Sequence, residues 1–475
     1  MAAISLTSAA VKTAPRVTPQ SQPFGATAPS TTLPLLFTLT GLLALFCAAG
    51  WLVARPDILA TYHYSPGAVA ITHLFVLGWL CSIVMGAMYQ LVPVALESKL
   101  FSERLAQIQF AFHTAGFIGM VWAFQNWNLK LVGHFGMLVA AGVVLFVFNI
   151  AQTLRRVPKW NVIATSVASA LAWIALAVTA GHCIVAGKCS YDAANSGNIL
   201  MTALKSIAAF MQRFDMLGAM HAHAHLGAVG LFIVLIVGVS YKLIPMFTLS
   251  ELQNPRRAAW SVWLLNLGLG GSFVTIALRS LWKPAFSLLV VLALALYGQE
   301  LRAILRARKR RTLDWGVKIF LAAVAMLLPL SVVAIVLSWP NLPMNSWTMQ
   351  LENVYGVLGL AGVVTLAIVG MLYKIIPFLV WFGSYSPHIG KAQVPALAEM
   401  YSPRLQIVGF WAFLTGLLTT LVAIEFANPL AVRIGCILLA TALAVIGINV
   451  AQMLHHYVRP QLKPMPKIAA RPIAL

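Results

Sequence analysis

The sequence predicts an all-α, polytopic membrane protein of twelve transmembrane helices in three pseudo-symmetric four-helix units. Three observations carry this. First, of 475 residues 60% are hydrophobic and 9% charged, with a mean hydropathy of +0.87, whereas a soluble domain carries roughly 25% charged residues. Second, apolar stretches of the ~20 residues needed to cross a bilayer recur twelve times. Third, one sequence frame occurs three times, each copy four stretches after the last. The low charge excludes a soluble globular fold. The net charge of +21 comes from scattered basic residues, which form no stripe for nucleic acid.

The stretches run over 34–54, 67–95, 104–125, 130–152, 160–185, 216–247, 258–278, 281–304, 315–338, 351–382, 405–426 and 430–457. The second, sixth and tenth are expected to outreach the others and project beyond the bilayer. Residues 1–33, rich in Ser, Thr, Pro and Ala, read as a disordered cytoplasmic tail rather than a secretory signal. Residues 34–457 form the membrane domain, and 458–475 a basic cytoplasmic tail. With the N-terminus inside, 24 of the 32 lysines and arginines fall at cytoplasmic ends and loops and 8 outside. That asymmetry places both termini in the cytoplasm; the expected location is a bacterial inner (cytoplasmic) membrane. The run RARKRR (306–311) reads as a contact for lipid headgroups.

Five cysteines are too few for a disulfide framework. Cys47, Cys81 and Cys436 lie in spans and read as packing residues. Cys183 and Cys189 close a short loop, HCIVAGKC, at the outer end of the fifth span; they either form a disulfide or remain two thiols.

The repeated frame is HLFVLGWLCSIVMGAMYQLVP (73–93), HLGAVGLFIVLIVGVSYKLIP (225–245) and VLGLAGVVTLAIVGMLYKIIP (357–377). His73, Gly78, Gly86, Tyr89 and Pro93 recur as His225, Gly230, Gly238, Tyr241 and Pro245. They recur again as Val357, Gly362, Gly370, Tyr373 and Pro377. A second echo joins NIAQTL (149–154) to NVAQML (449–454). The cyclic units are therefore spans 11-12-1-2, 3–6 and 7–10. Gly78 and Gly86, and their counterparts such as Gly230, give room for a neighbouring backbone or a flat ligand. Tyr89 fits an interfacial anchor, and Pro93 ends or bends its helix.

Imidazoles inside a membrane span are costly and call for a partner or a function. His73 and His225 occupy equivalent positions at equal depth, about two turns into spans two and six. Two neutral imidazoles facing across a gap between helices are the usual axial ligands of a low-spin haem b, so His73 and His225 are expected to share one. The alternative is an interhelical hydrogen bond. In MHAHAHLG (220–227), His221 and His225 share a helix face, whereas His223 lies on the opposite one. His223 is then placed for a second haem or a copper ion, with His221 adding a ligand or a hydrogen bond. His134 is a weaker candidate, and His113 is too deep for this group.

The three-unit, twelve-span plan resembles subunit I of the haem-copper oxidase superfamily. The segment THL with GAMYQLVP (72–93) is similar to the second helix of its nitric oxide reductase branch, and HAHLGAVG (223–230) to its haem-ligating H-x-H-L helix. The chain also resembles the NnrS-like haem-and-copper membrane proteins of the nitric oxide response. The resemblance implies haem, electron transfer or nitric oxide handling, and a cytochrome c, cupredoxin or quinol as electron donor. The departures are specific. In the family the H-x-H helix is span ten, where this chain has Asn353, Tyr355 and Val357. Span seven has no His-His pair, and the eleven acidic residues lie at span ends or in loops. Oxygen reduction with proton pumping by the family mechanism, which usually needs intramembrane carboxylates, does not follow from these residues. Three readings stand: a haem b protein without the binuclear centre, a haem or copper protein without turnover, and a metal- or proton-linked transporter.

Overall fold

In the computed structural model, residues 30–189 and 199–464 are described. The expected tails, 1–33 and 458–475, lie for the most part outside them. The described residues hold twelve long helices: α1 Thr32–Ala54, α2 Pro66–Ala95, α3 Glu103–Gln125, α4 Leu129–Leu154, α5 Val162–Lys188, α6 Met216–Thr248, α7 Pro255–Ala277, α8 Lys283–Arg306, α9 Trp315–Ser338, α10 Ser346–His388, α11 Pro403–Glu425 and α12 Pro429–Val458. All but α3 are apolar enough to cross a membrane; α3 carries Gln107, Gln109 and His113 among its apolar residues. Short helices Asp57–Ala60 and Ile199–Met211 lie in the α1–α2 and α5–α6 connections. No extended strand occurs among the described residues, only one bridge between Gln393 and Lys463. The chain is a multi-pass membrane protein.

Helices α2, α6 and α10 form the inner ring. Over their most apolar windows they bury 56%, 67% and 78%, against 22–44% for the other eight apolar spans. The α6 and α10 helices are the longest, at 33 and 43 residues; α2, at 30, is matched by α12 and does not stand out as expected.

The three units repeat in atomic detail. Apolar helices gain little from excluding lipid, so their association rests on close packing and polar clamps. The hairpins α3–α4, α7–α8 and α11–α12 each carry a glycine against the next helix. A Cβ on Gly116, Gly268 or Gly416 would sit 2.7, 2.9 or 2.8 Å from the backbone nitrogen of Val139, Val290 or Leu439. Each hairpin turns on a left-handed residue, Trp127, Arg279 or Ala427, at φ 49°, 50° or 48°. Asn149 accepts from the Ser102 amide and donates to its carbonyl, at 3.1 and 2.8 Å. Asn449 does the same at Ser402, at 2.9 and 3.0 Å. In the third unit the clamp is Glu300, fully buried, which accepts from the amides of Gln253 and Asn254. The echo seen between spans four and twelve is thus complete, with a carboxylate replacing the amide.

The repeat tyrosines correct one expectation. Tyr89, Tyr241 and Tyr373 are 1–3% exposed, so they are interior groups rather than interfacial anchors. Tyr89 donates to Gln109 at 3.2 Å, and Tyr241 pairs with Ser261 at 2.6 Å. Tyr373 has no partner for its hydroxyl, because the matching position on α11 is Gly409.

An unpaired buried hydroxyl costs about as much as a made hydrogen bond contributes, roughly 1 kcal/mol. Thermal unfolding in detergent is therefore expected to show Tyr241→Phe destabilised by about 1 kcal/mol and Tyr373→Phe neutral or slightly stabilised. Equal losses in the two variants would contradict this packing.

Candidate functional site

The same position in α2, α6 and α10 starts an eight-residue π-helical segment. Leu74–Cys81 follows His73, Leu226–Ile233 follows His225 and Leu358–Thr365 follows Val357. Such segments re-aim the residues before them and recur at functional sites. Their loosened carbonyls are satisfied by side chains. His113 on α3 and Ser82 reach the Leu77 carbonyl at 3.1 and 3.4 Å, and Thr365 reaches that of Leu360 at 2.9 Å while accepting from Trp79 on α2.

The residues just before these segments have different neighbours. The His73 ring packs on Phe124 of α3, with centroids 4.5 Å apart, the His223 ring lies against Gly181 of α5, and both line one cavity with His182. At the α6–α10 junction, the His225 ring stacks on Tyr355, with centroids 5.8 Å apart and planes 24° apart. The third copy is apolar: Val357 packs with Ile424 of α11 and with Val432 and Cys436 of α12.

Each ring is fixed through Nδ1. His73, His182 and His225 donate to carbonyls one turn back, Val69, Val178 and His221, each at 2.8 Å. His223 donates across to Ala177 of α5 at 2.9 Å. A carbonyl only accepts, so the proton sits on Nδ1 and Nε2 keeps its lone pair, the arrangement found in metal-ligating histidines. The lone pair of His225 accepts from the Tyr355 hydroxyl at 3.3 Å. The Nε2 of His182 is buried with no partner. Those of His73 and His223 make no hydrogen bond among the described residues.

All of these side chains line a cavity of about 1010 Å³, at the upper end of the ~300–1,000 Å³ typical of small-molecule sites. Its walls are mostly Leu, Ile, Val, Phe and Ala, with Lys188, Arg279 and Lys283 at the end of the bundle opposite the chain termini. Arg279 is paired with Asp215 at 3.0 Å. Gly227, one turn from His223, faces open space: an added Cβ would meet no atom within 4 Å.

His221 lines the same cavity but pairs with a different group. Its Nε2 lies 2.9 Å from that of His63, in the loop before α2. His63 donates from Nδ1 to Asn353 at 3.1 Å, and Glu352 lies 3.9 Å away. Burial holds the His63 imidazole below the ordinary histidine range, against the opposing pull of its bond to Asn353.

Several expectations change. The structure places His73, His223 and His225 on one cavity and turns His225 to Tyr355. Gly78 and Gly230 do not line the cavity. A Cβ on Gly78 would meet Ala44 of α1 at 2.8 Å, and one on Gly230 would meet Trp173 of α5 at 2.6 Å, so both serve helix packing. His134 is exposed and bonds the Lys130 carbonyl. His182, His63 and Glu352 are additions. Glu352 is no longer a terminal residue, because α10 begins at Ser346 and carries it more than a turn inside.

The expected loop at Cys183 and Cys189 is helix through Lys188, and both thiols are free. Six residues of helix separate the two by about 9 Å, beyond the ~7 Å that a disulfide spans.

No family model and no curated protein matches the chain. Among solved structures, a haem-copper terminal oxidase dimer determined by cryo-EM superimposes with a TM-score of 0.63. The match covers 93% of this chain and 87% of that one at 11% identity. At that identity the likeness shows the fold alone, and the fold is haem-copper oxidase-like.

Thiol titration in denaturant without reductant is expected to count five free thiols per chain; a count of three would contradict the helical placement of Cys183 and Cys189.

Proposed function

We propose that this chain is a haem-binding membrane protein in which His73 on α2 and His223 on α6 would hold a b-type haem, and that it passes electrons. The observation that carries this reading is that His73 on α2 and His223 on α6 line one large apolar cavity, each fixed through Nδ1 and each with a free Nε2. The donors His73, His182 and His223 are not among the groups tight enough for a single ion, so a wide, flat ligand suits them better than a bare metal. The cations Lys188 and Lys283 at one end of the cavity suit the propionates of a haem. No C-x-x-C-H sequence is present for covalent attachment.

A haem so held supplies one-electron chemistry. With both ligands supplied by the protein, such a haem would favour electron transfer over binding of a gas. His73 and His223 would hold the iron, and the Val69 and Ala177 carbonyls keep their rings oriented. The α6–α10 junction offers His225 and Tyr355 and no second histidine pair, and α7 has no histidine. That supports a chain without the binuclear centre, supplied by a quinol, cytochrome c or cupredoxin in a bacterial inner membrane.

The pyridine haemochrome and reduced spectrum of purified chain are expected to show haem b with a sharp low-spin α-band. His73→Ala and His223→Ala should each reduce bound haem by about tenfold or more or abolish the low-spin band, while His225→Ala retains it. Loss in His225→Ala with retention in His223→Ala would restore the other pairing. The absence of any Soret band after haemin loading would favour the transporter reading. Gly227→Leu should exclude haem by filling open space while leaving the unfolding temperature of the haem-free protein unchanged. Full haem loading in that variant would place the haem elsewhere.

A further inference from the structure

A second constellation stands apart from the haem ligands and draws one donor from each unit. His63 comes from the loop before α2, His221 from α6 and Glu352 from α10. Their ligand atoms lie within 4.8 Å of one another, the only such group of three among the described residues.

The outer partners prepare it. Gln350 donates to the Ala60 carbonyl at 3.0 Å, which ties the loop to α10. The Asn353 amide donates to the Thr61 carbonyl at 2.7 Å and to Gln350 at 2.8 Å. Its oxygen is therefore the acceptor for His63 Nδ1–H. This leaves a lone pair on His63 Nε2, facing His221 Nε2 at 2.9 Å. The carboxylate of Glu352 points into the same space, and its Oε2 is buried with no hydrogen-bond partner. A simple histidine pair would explain one short contact; it leaves that carboxylate oxygen unaccounted for.

We propose that His63, His221 and Glu352 bind one borderline divalent cation, zinc or copper(II), at the end of the cavity opposite the chain termini. Two metal–nitrogen bonds of about 2.0–2.1 Å at the tetrahedral angle separate their nitrogens by about 3.3 Å. The two rings need to part by only a few tenths of an ångström. Two imidazoles with one carboxylate suit zinc and copper, whereas magnesium and calcium take oxygen ligands. Asn353 is the outer-shell partner that orients His63. The ion would fasten the loop before α2 to α6 and α10, one turn from His225, whose Nδ1 donates to the His221 carbonyl. The site rests on donors separate from the proposed haem ligands.

The test is titration of EDTA-stripped, detergent-solubilised full chain with ZnCl2, read by calorimetry, with bound Cu2+ read by electron paramagnetic resonance. One zinc per chain is expected, and two-nitrogen hyperfine structure for copper. His63→Ala and His221→Ala should weaken zinc binding by about a hundredfold, and Glu352→Gln by about tenfold. Glu352→Gln keeps the shape of the side chain, so it decides the matter if a histidine variant fails to fold. Haem content, measured on the same samples, should be unchanged in His63→Ala and Glu352→Gln. Absence of zinc binding in the wild type, or wild-type affinity in Glu352→Gln and His63→Ala, would overturn the proposal and leave the haem assignment standing.

Discussion

The rotation of α6 about its own axis constrains everything at the centre of this protein. Residues two apart on an α-helix point about 200° apart, so MHAHAHLG cannot gather its histidines into one site. His223 turns to α2 and α5, where Ala177 fixes its ring. His225 turns to α10 and accepts from Tyr355. His221, close in angle to His225 but one turn further toward the helix start, meets the loop that carries His63. A membrane interior offers an imidazole no water, so each ring takes a different partner, and the three destinations follow from one short segment.

The scaffold that receives them is nearly threefold, and its asymmetry lies in side chains. The hairpin glycines, the left-handed turn residues and the polar clamps recur in all three units. At the equivalent position the chemistry changes from imidazole at His73 and His225, the latter against the Tyr355 phenol, to valine at Val357 among apolar neighbours. Divergence elsewhere is of the same kind: Glu300 in place of an asparagine, and Gly409 in place of the residue that would meet Tyr373. One backbone plan thus holds three local environments.

The twelve helices and the repeat were legible in the sequence because apolar length and the spacing of Gly, Tyr and Pro are local properties. The relation between helices was less so. The pairing of His73 with His225 followed from equal depth, but depth does not state which neighbour a ring faces. The π-helical segments add to that rotation and leave no mark in composition. His63 lies in a loop, outside any periodic pattern, and its role depends on Asn353 and Gln350 nearly three hundred residues later. Gly78 and Gly230 were rightly seen as places of close approach, but what approaches is a neighbouring helix. The signal for Glu352 was present: Asn345 and Thr348 form a capping box that starts α10 ahead of it.

The most direct test is a cryo-EM map of the haem-loaded chain in detergent or nanodisc. The account predicts a planar density between α2 and α6, continuous with the side chains of His73 and His223. Planar density at the α6–α10 or α10–α2 junction, or an unfilled cavity beside His73 in protein that carries haem, would contradict it.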